Sequence, residues 1–237
     1  MKIAVVQHRL RGVAGEDAAA LMAAAESAAA SGAEFVVFPE VPSLHGDDNP
    51  DRGMLFLQLG GVAGQRLIPQ LAPDAEGFAG LAAAPDGLED LGTMALLVGD
   101  AVLDVTELEN LAAAAPDLAV LIPRAESELQ AEAFLELAIA LSDSLAGLVL
   151  VAEAAGGDPG QPGHGGSAII SCGKVLAEAV GEEDVLVADV VIPLAQPEPR
   201  DALPELPTIL KQRYAAHHGE RAPVDYPADL TEGSPTD

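Results

Sequence analysis

The ten residues Ala33-Glu34-Phe35-Val36-Val37-Phe38-Pro39-Glu40-Val41-Pro42 drive an apolar stretch straight into a proline and a carboxylate. Phe35 to Phe38 are β-branched or aromatic, as a buried parallel strand requires. Pro39 lacks the N–H that would continue a ladder, so the strand ends there. Glu40 is thereby placed at a strand's C-terminal edge, where open α/β sheets gather their ligands and chemistry. Upstream, Lys2 to Gln7 reads as another strand and Glu16 to Ser31 as an Ala-rich helix closed by Gly32. A β-α-β unit with an acid at its exit follows.

The same alternation resumes later. Thr93 to Val98, Leu118 to Ile122 and Gly147 to Ala152 read as strands, and Val105 to Ala115 and Glu126 to Leu145 as helices. The last helix carries Leu129, Ala133, Leu137 and Leu141 at four-residue spacing, which predicts one buried stripe. Two strands around Cys172 and one at Val185 to Ile192 complete the pattern. Gly53 to Leu71 is apolar but broken by paired glycines. Pro73 to Gly92, rich in Gly, Pro and acid, predicts loops around a short helix. Gln196 to Pro207 reads as an extended arm and Leu230 to Asp237 as a disordered tail.

The order Met1-Lys2-Ile3-Ala4-Val5-Val6-Gln7, an Ala-rich helix, then Gly32-Ala33-Glu34-Phe35-Val36-Val37-Phe38-Pro39-Glu40 resembles the carbon-nitrogen hydrolase (nitrilase/amidase) superfamily. The Phe-Pro-Glu triplet carries most of the likeness. Further along, Glu128 to Val151, the pair His164 to Ile170 and Gly173 to Ala179, and Asp184 to Ile192 are similar to that family's long helix, penultimate hairpin and closing strand. The resemblance implies an α/β fold, a nitrilase-like α-β-β-α sandwich with layered sheets and outer helices. It implies a domain over residues 1–195, a C-terminal arm over 196–229 and a tail over 230–237. A homodimer and a small amide or nitrile ligand follow from the resemblance alone.

The family is understood to attack an amide or nitrile carbon with a cysteine thiolate, using a glutamate base and a lysine for the oxyanion. A carboxylate accepts the thiol proton, and a fixed cation steadies the developing charge. Glu40 matches the base. The strand counterpart Met94-Ala95-Leu96-Leu97-Val98-Gly99-Asp100 puts Gly99 where the cysteine belongs, and glycine has no atom to attack with. Cys172, the single thiol, sits in a hairpin turn. The three lysines, Lys2, Lys174 and Lys211, all lie outside the interval from Glu40 to Gly99. Arg66 falls within it, and its guanidinium is a candidate oxyanion donor against the plainer reading of a surface charge. Glu76 is a weak match to an accessory glutamate, and Glu40 has its own plain reading as a structural acid holding the next loop.

The leading expectation is therefore a homologue that has lost cysteine-dependent hydrolysis and acts as a binding or assembly component, a pseudoenzyme. Two alternatives stand beside it: an amidohydrolase using water activated by Glu40, and a metal-assisted hydrolase using His45, Asp47, Asp48 and Asp51. The metal reading is the weaker, the plain view being an acidic loop. The residues call for no cofactor. His164 marks a turn before a strand, and His217 and His218 a polar surface.

Charge removes other classes. The 237 residues hold 38 Asp and Glu against 11 Lys and Arg, a formal charge of -27. Nucleic acid and anionic membranes need clustered cations, so both are disfavoured. No stretch has the length or apolarity of a membrane span, no signal-peptide pattern opens the chain, and one cysteine excludes a disulfide framework. A cytoplasmic location is the expectation.

Overall fold

The structure, a computed structural model, describes residues 1–41, 56–58, 66–67, 77–83, 91–156, 163–192 and 203–218, with backbone alone for 56–58, 66–67 and 77–83. The strands are β1 (Lys2–Gln7), β2 (Phe35–Val37), β3 (Phe56–Gln58), β4 (Arg66–Leu67), β5 (Gly77–Ala83), β6 (Thr93–Gly99), β7 (Leu118–Ile122), β8 (Leu148–Val151), β9 (Gly165–Ser171), β10 (Lys174–Val180) and β11 (Asp184–Asp189). The helices are α1 (Ala14–Ala30), α2 (Val105–Ala114), α3 (Glu128–Leu145) and α4 (Thr208–His218), with a 3-10 turn at Asp100–Leu103.

Among the described residues the strands form two sheets, ordered β11-β1-β2-β3-β4 and β10-β9-β8-β7-β6-β5. β1 and β2 are parallel, as are β6, β7 and β8, so their C-terminal ends emerge side by side within each sheet. Side-chain alternation along a strand then decides the layers. Ile3, Val5, Phe35 and Val37 meet Met94, Leu96, Val98, Val120 and Leu150 between the sheets. Ala4, Val6, Val36 and Phe38 point the other way, onto Leu21, Ala25 and Ala28 of α1. Ala95, Leu97, Leu121 and Val149 pack under Leu111 of α2 and Phe134, Leu137 and Leu141 of α3. Four layers result, helix, sheet, sheet, helices, and each fully buried aliphatic side chain contributes about 1.5–3 kcal/mol.

Two expectations are corrected. Leu129 is 63% exposed, and the buried stripe of α3 runs instead through Ala133, Phe134, Leu137, Ala138, Leu141 and Leu145. α3 begins at Glu128 because the Ser127 side chain caps it, accepting from the Gln130 amide at 3.3 Å. Within Pro73 to Gly92, residues 77–83 are a strand paired antiparallel with β6, where loops and a short helix were expected. Small residues hid that strand. In the C-terminal segment, α4 is helical and buries Leu210 against the same core as α3, with Leu206 from the preceding turn beside it. No described helix is long and apolar enough to cross a membrane.

Candidate functional site

Two strands stop in the same way. β2 ends in Phe38-Pro39-Glu40 and β7 ends in Ile122-Pro123-Arg124, an apolar residue, a proline and a charge in each sheet. The two charges meet. Arg124 Nε donates to Glu40 Oε2 at 2.6 Å, and Arg124 Nη2 donates to Glu40 Oε1. The Glu40 side chain is 6% exposed and that of Arg124 38%, so the pair spans the sandwich from a buried acid to the mouth of the strands. Burial opposes the charge on Arg124, but the Glu40 hydrogen bonds and the fields of Glu40, Asp100 and Glu153 outweigh it and hold the guanidinium more firmly protonated.

Gly99 closes β6 next to this pair, because β6 and β7 run parallel with Val98 beside Ile122. Its backbone lies at φ 59°, ψ -134°, a sharp strand-to-helix turn that an L side chain holds only under strain. Such a turn would thrust a side chain out of the sheet. Here it carries a hydrogen.

The floor is ionic as well. Arg213 of α4 donates to Asp100 Oδ1 at 2.9 Å, to Gln130 Oε1 at 3.0 Å and to the Arg124 carbonyl, with its guanidinium 5.9 Å from the Phe134 ring centre. His217, exposed as a polar surface residue, lies between Asp100 Oδ2 at 2.9 Å and Glu126 Oε1 at 3.3 Å. Glu153 follows β8 and accepts from the Ala125 amide at 2.8 Å. Burial drives its carboxyl up to about 8, against the pull of that amide and of Arg213 and Arg124. Among the described residues Glu153 Oε2 and Arg213 Nε have no hydrogen-bond partner.

The remaining candidates lie elsewhere. Cys172 is exposed at φ 48° in the β9–β10 turn. β9 runs antiparallel to β8 with Ser171 beside Leu148, so the thiol sits at the opposite end of the sheet from Glu153. Lys2 Nζ reaches the Ser31 carbonyl at 3.4 Å, Lys211 Nζ pairs with Glu205 at 3.3 Å, and Lys174 opens β10 on the exposed side. Arg66 belongs to β4, paired with Leu57, and its side chain falls outside the described residues. So do Glu76, His45, Asp47, Asp48 and Asp51. Arg124 is the residue the sequence reasoning missed. The repeated apolar-Pro-charge ending was the signal for it.

No protein-family model and no curated protein matches this chain. Solved structures do. An amidase from Nesterenkonia sp. AN1 is 19% identical, with 80% of this chain and 92% of that chain covered at a TM-score of 0.57. A cysteine-replaced variant of that amidase in complex with butyramide is 19% identical over 81% and 91% of the two chains, at a TM-score of 0.58. Another variant, showing covalent addition of the acetamide moiety of fluoroacetamide at its active site cysteine, is 19% identical over 81% and 90%, at 0.59. The chain has the α-β-β-α fold of these nitrilase-superfamily amidases.

Proposed function

We propose that this protein has lost the cysteine-dependent hydrolysis of amides and nitriles and serves as a binding or assembly component built on an amidase fold. The observation that carries this is the Glu40–Arg124 pair beside Gly99. A general base must offer a lone pair to the proton it removes. Both oxygens of Glu40 are already engaged by guanidinium N–H groups, and the residue at the strained turn has no sulfur. The same pair weighs against water activated by Glu40, because both oxygens already carry a guanidinium N–H and the side chain is only 6% exposed to an incoming water.

The homodimer, the cytoplasmic location and the division into a domain over 1–195, an arm over 196–229 and a tail over 230–237 are part of this proposal. They rest on resemblance and composition. A small amide or nitrile remains the ligand class to try first at the mouth, where Arg124 is 38% exposed.

The test is turnover by the purified protein with butyramide, fluoroacetamide and short nitriles, read beside intact mass after exposure to fluoroacetamide. We expect no ammonia above the uncatalysed rate and no covalent adduct other than slow labelling that Cys172→Ala removes. Turnover that Glu40→Gln abolishes would overturn the proposal.

A further inference from the structure

A second ionic cluster stands outside the mouth. His8, directly after β1, is fully buried, and so is Asp17 in the first turn of α1. His8 Nε2 lies 2.8 Å from Asp17 Oδ1, which also accepts the Arg11 amide at 2.9 Å. His8 Nδ1 faces two partners of opposite kind. Glu183 Oε1, in the turn between β10 and β11, is an acceptor at 3.0 Å, and Arg11 Nη1 is a donor at 3.3 Å. Arg11 also grips Glu183 directly, through Nη2 to Oε2 at 3.0 Å and Nη1 to Oε1 at 3.2 Å.

We propose that His8 is a proton-operated exchange point that tightens or loosens the tie between the β1–α1 loop and the β10–β11 turn. A protonated ring donates from Nδ1 to Glu183 and from Nε2 to Asp17. The cluster then balances two cations, His8 and Arg11, against two carboxylates. A neutral ring keeps the Nε2 proton on Asp17, and its Nδ1 lone pair accepts from Arg11 Nη1, which turns from Glu183 to meet it. Every ring nitrogen is satisfied in both states, so a buried histidine can change charge without stranding a polar atom. The groups facing the ring are Asp17 from α1, Glu183 from the β10–β11 turn and Arg11 from its own loop, with Glu16 acting on Arg11.

The exchange reaches the sheet ends. Gln7 Nε2 donates to the Glu182 carbonyl at 2.6 Å, and the His8 carbonyl accepts from the Ala155 amide at 2.8 Å, two residues beyond Glu153. Loss of the His8 proton removes one of the bonds on Glu183 and redirects another. The turn over residues 181–184 is then held less tightly against the β1 exit.

The experiment is a nitrogen-15 NMR titration of the histidine rings in the full chain from pH 5 to 9, the range that brackets histidine charge changes. His8 signals are assigned as those lost in His8→Gln. The expected result is that Nε2 stays protonated throughout while Nδ1 alone loses its proton. Glu183→Gln moves the midpoint down, because it removes a charged acceptor, and Arg11→Gln moves it up. Amide exchange over residues 181–184, corrected for intrinsic rates, speeds up several-fold as Nδ1 deprotonates. A ring that keeps one charge state across the range, a neutral form carrying its proton on Nδ1, or a midpoint that neither substitution moves would each overturn the proposal. Both substituted residues are part-exposed, so the fold is expected to survive them.

Discussion

Two buried ionic clusters sit at neighbouring strand ends, and they are built to different standards. Around His8 each ring nitrogen, each Glu183 oxygen and the Arg11 guanidinium has a named partner. At the mouth, Glu40 and Arg124 are matched, yet Glu153 Oε2 and Arg213 Nε stand without partners among the described residues, and Glu153 is driven up to about 8 by its burial. An orphaned buried polar atom costs about 1–3 kcal/mol, so the mouth is the costlier of the two clusters. The difference teaches that a buried polar network is matched at the β1 exit and left incomplete around Glu153 and Arg213, as it is again at Asp117 Oδ1.

The largest effect that separates the two clusters is the response of Glu153 to pH. Its folded-state value lies above its unfolded one, so its contribution is full below about 4.5 and is lost as pH rises toward 8. Wild type should lose on the order of 1 kcal/mol per pH unit across that window, and Glu153→Gln should flatten the slope in urea melts taken from pH 5 to 8.5. An unchanged slope would place the mouth on the same footing as the His8 cluster.

Next comes Arg124→Leu. It takes the guanidinium from a buried acid and should cost about 2–4 kcal/mol, a figure reduced from that of a fully buried pair because Arg124 is partly exposed. Adding Glu40→Leu should restore most of the loss, read as a non-additive double-mutant cycle by denaturation. Additive losses would mean the pair is incidental.

Gly99→Ala tests the strained turn and should cost about 1–3 kcal/mol. Ala115 and Ala146 already sit in the ordinary left-handed region with positive ψ, so they show that positive φ alone is tolerated here. The ψ of -134° sets Gly99 apart, and equal stability of Gly99→Ala would remove that distinction. Gly99→Cys should gain no turnover unless Arg124 is also replaced.

The smallest effect belongs to the exposed side of the His8 cluster. Burial raises the Glu183 carboxyl, but Arg11 and His8 outweigh it and hold it below the usual value. Its stabilisation is therefore present above about pH 4.5 and lost as pH falls below that. Arg11→Gln should cost under about 1 kcal/mol at pH 7, since both side chains are more than 30% exposed, and progressively less as pH falls below about 4.5.

The sequence made the frame readable because the central strands are nearly continuous apolar runs. Leu118–Ile122 and Leu148–Val151 are buried on both faces, which leaves little choice of register or layer. β5 escaped because Gly77, Gly80 and three alanines give no β-branched signal, and α4 because its apolar residues do not gather on one face. Glu40 was visible as an acid without a packing reason. Its partner was not, because nothing local ties Arg124 to a residue 84 positions away. Pairing across two sheets is a property of the stacked layers, and only the shared proline exit hinted at it.

The pairing of β1 with β11 bears on how the molecule is made. Lys2 faces Asp189 and Gln7 faces Asp184, so β1 gains its second neighbour only after more than 170 further residues have been synthesised. Until then one edge of Ile3-Ala4-Val5-Val6 stays open, an apolar template of the kind that joins foreign strands. A nascent chain of this design carries that edge unguarded throughout the synthesis of the residues between β1 and β11. The excess of negative charge along its length supplies mutual repulsion between growing copies during that interval.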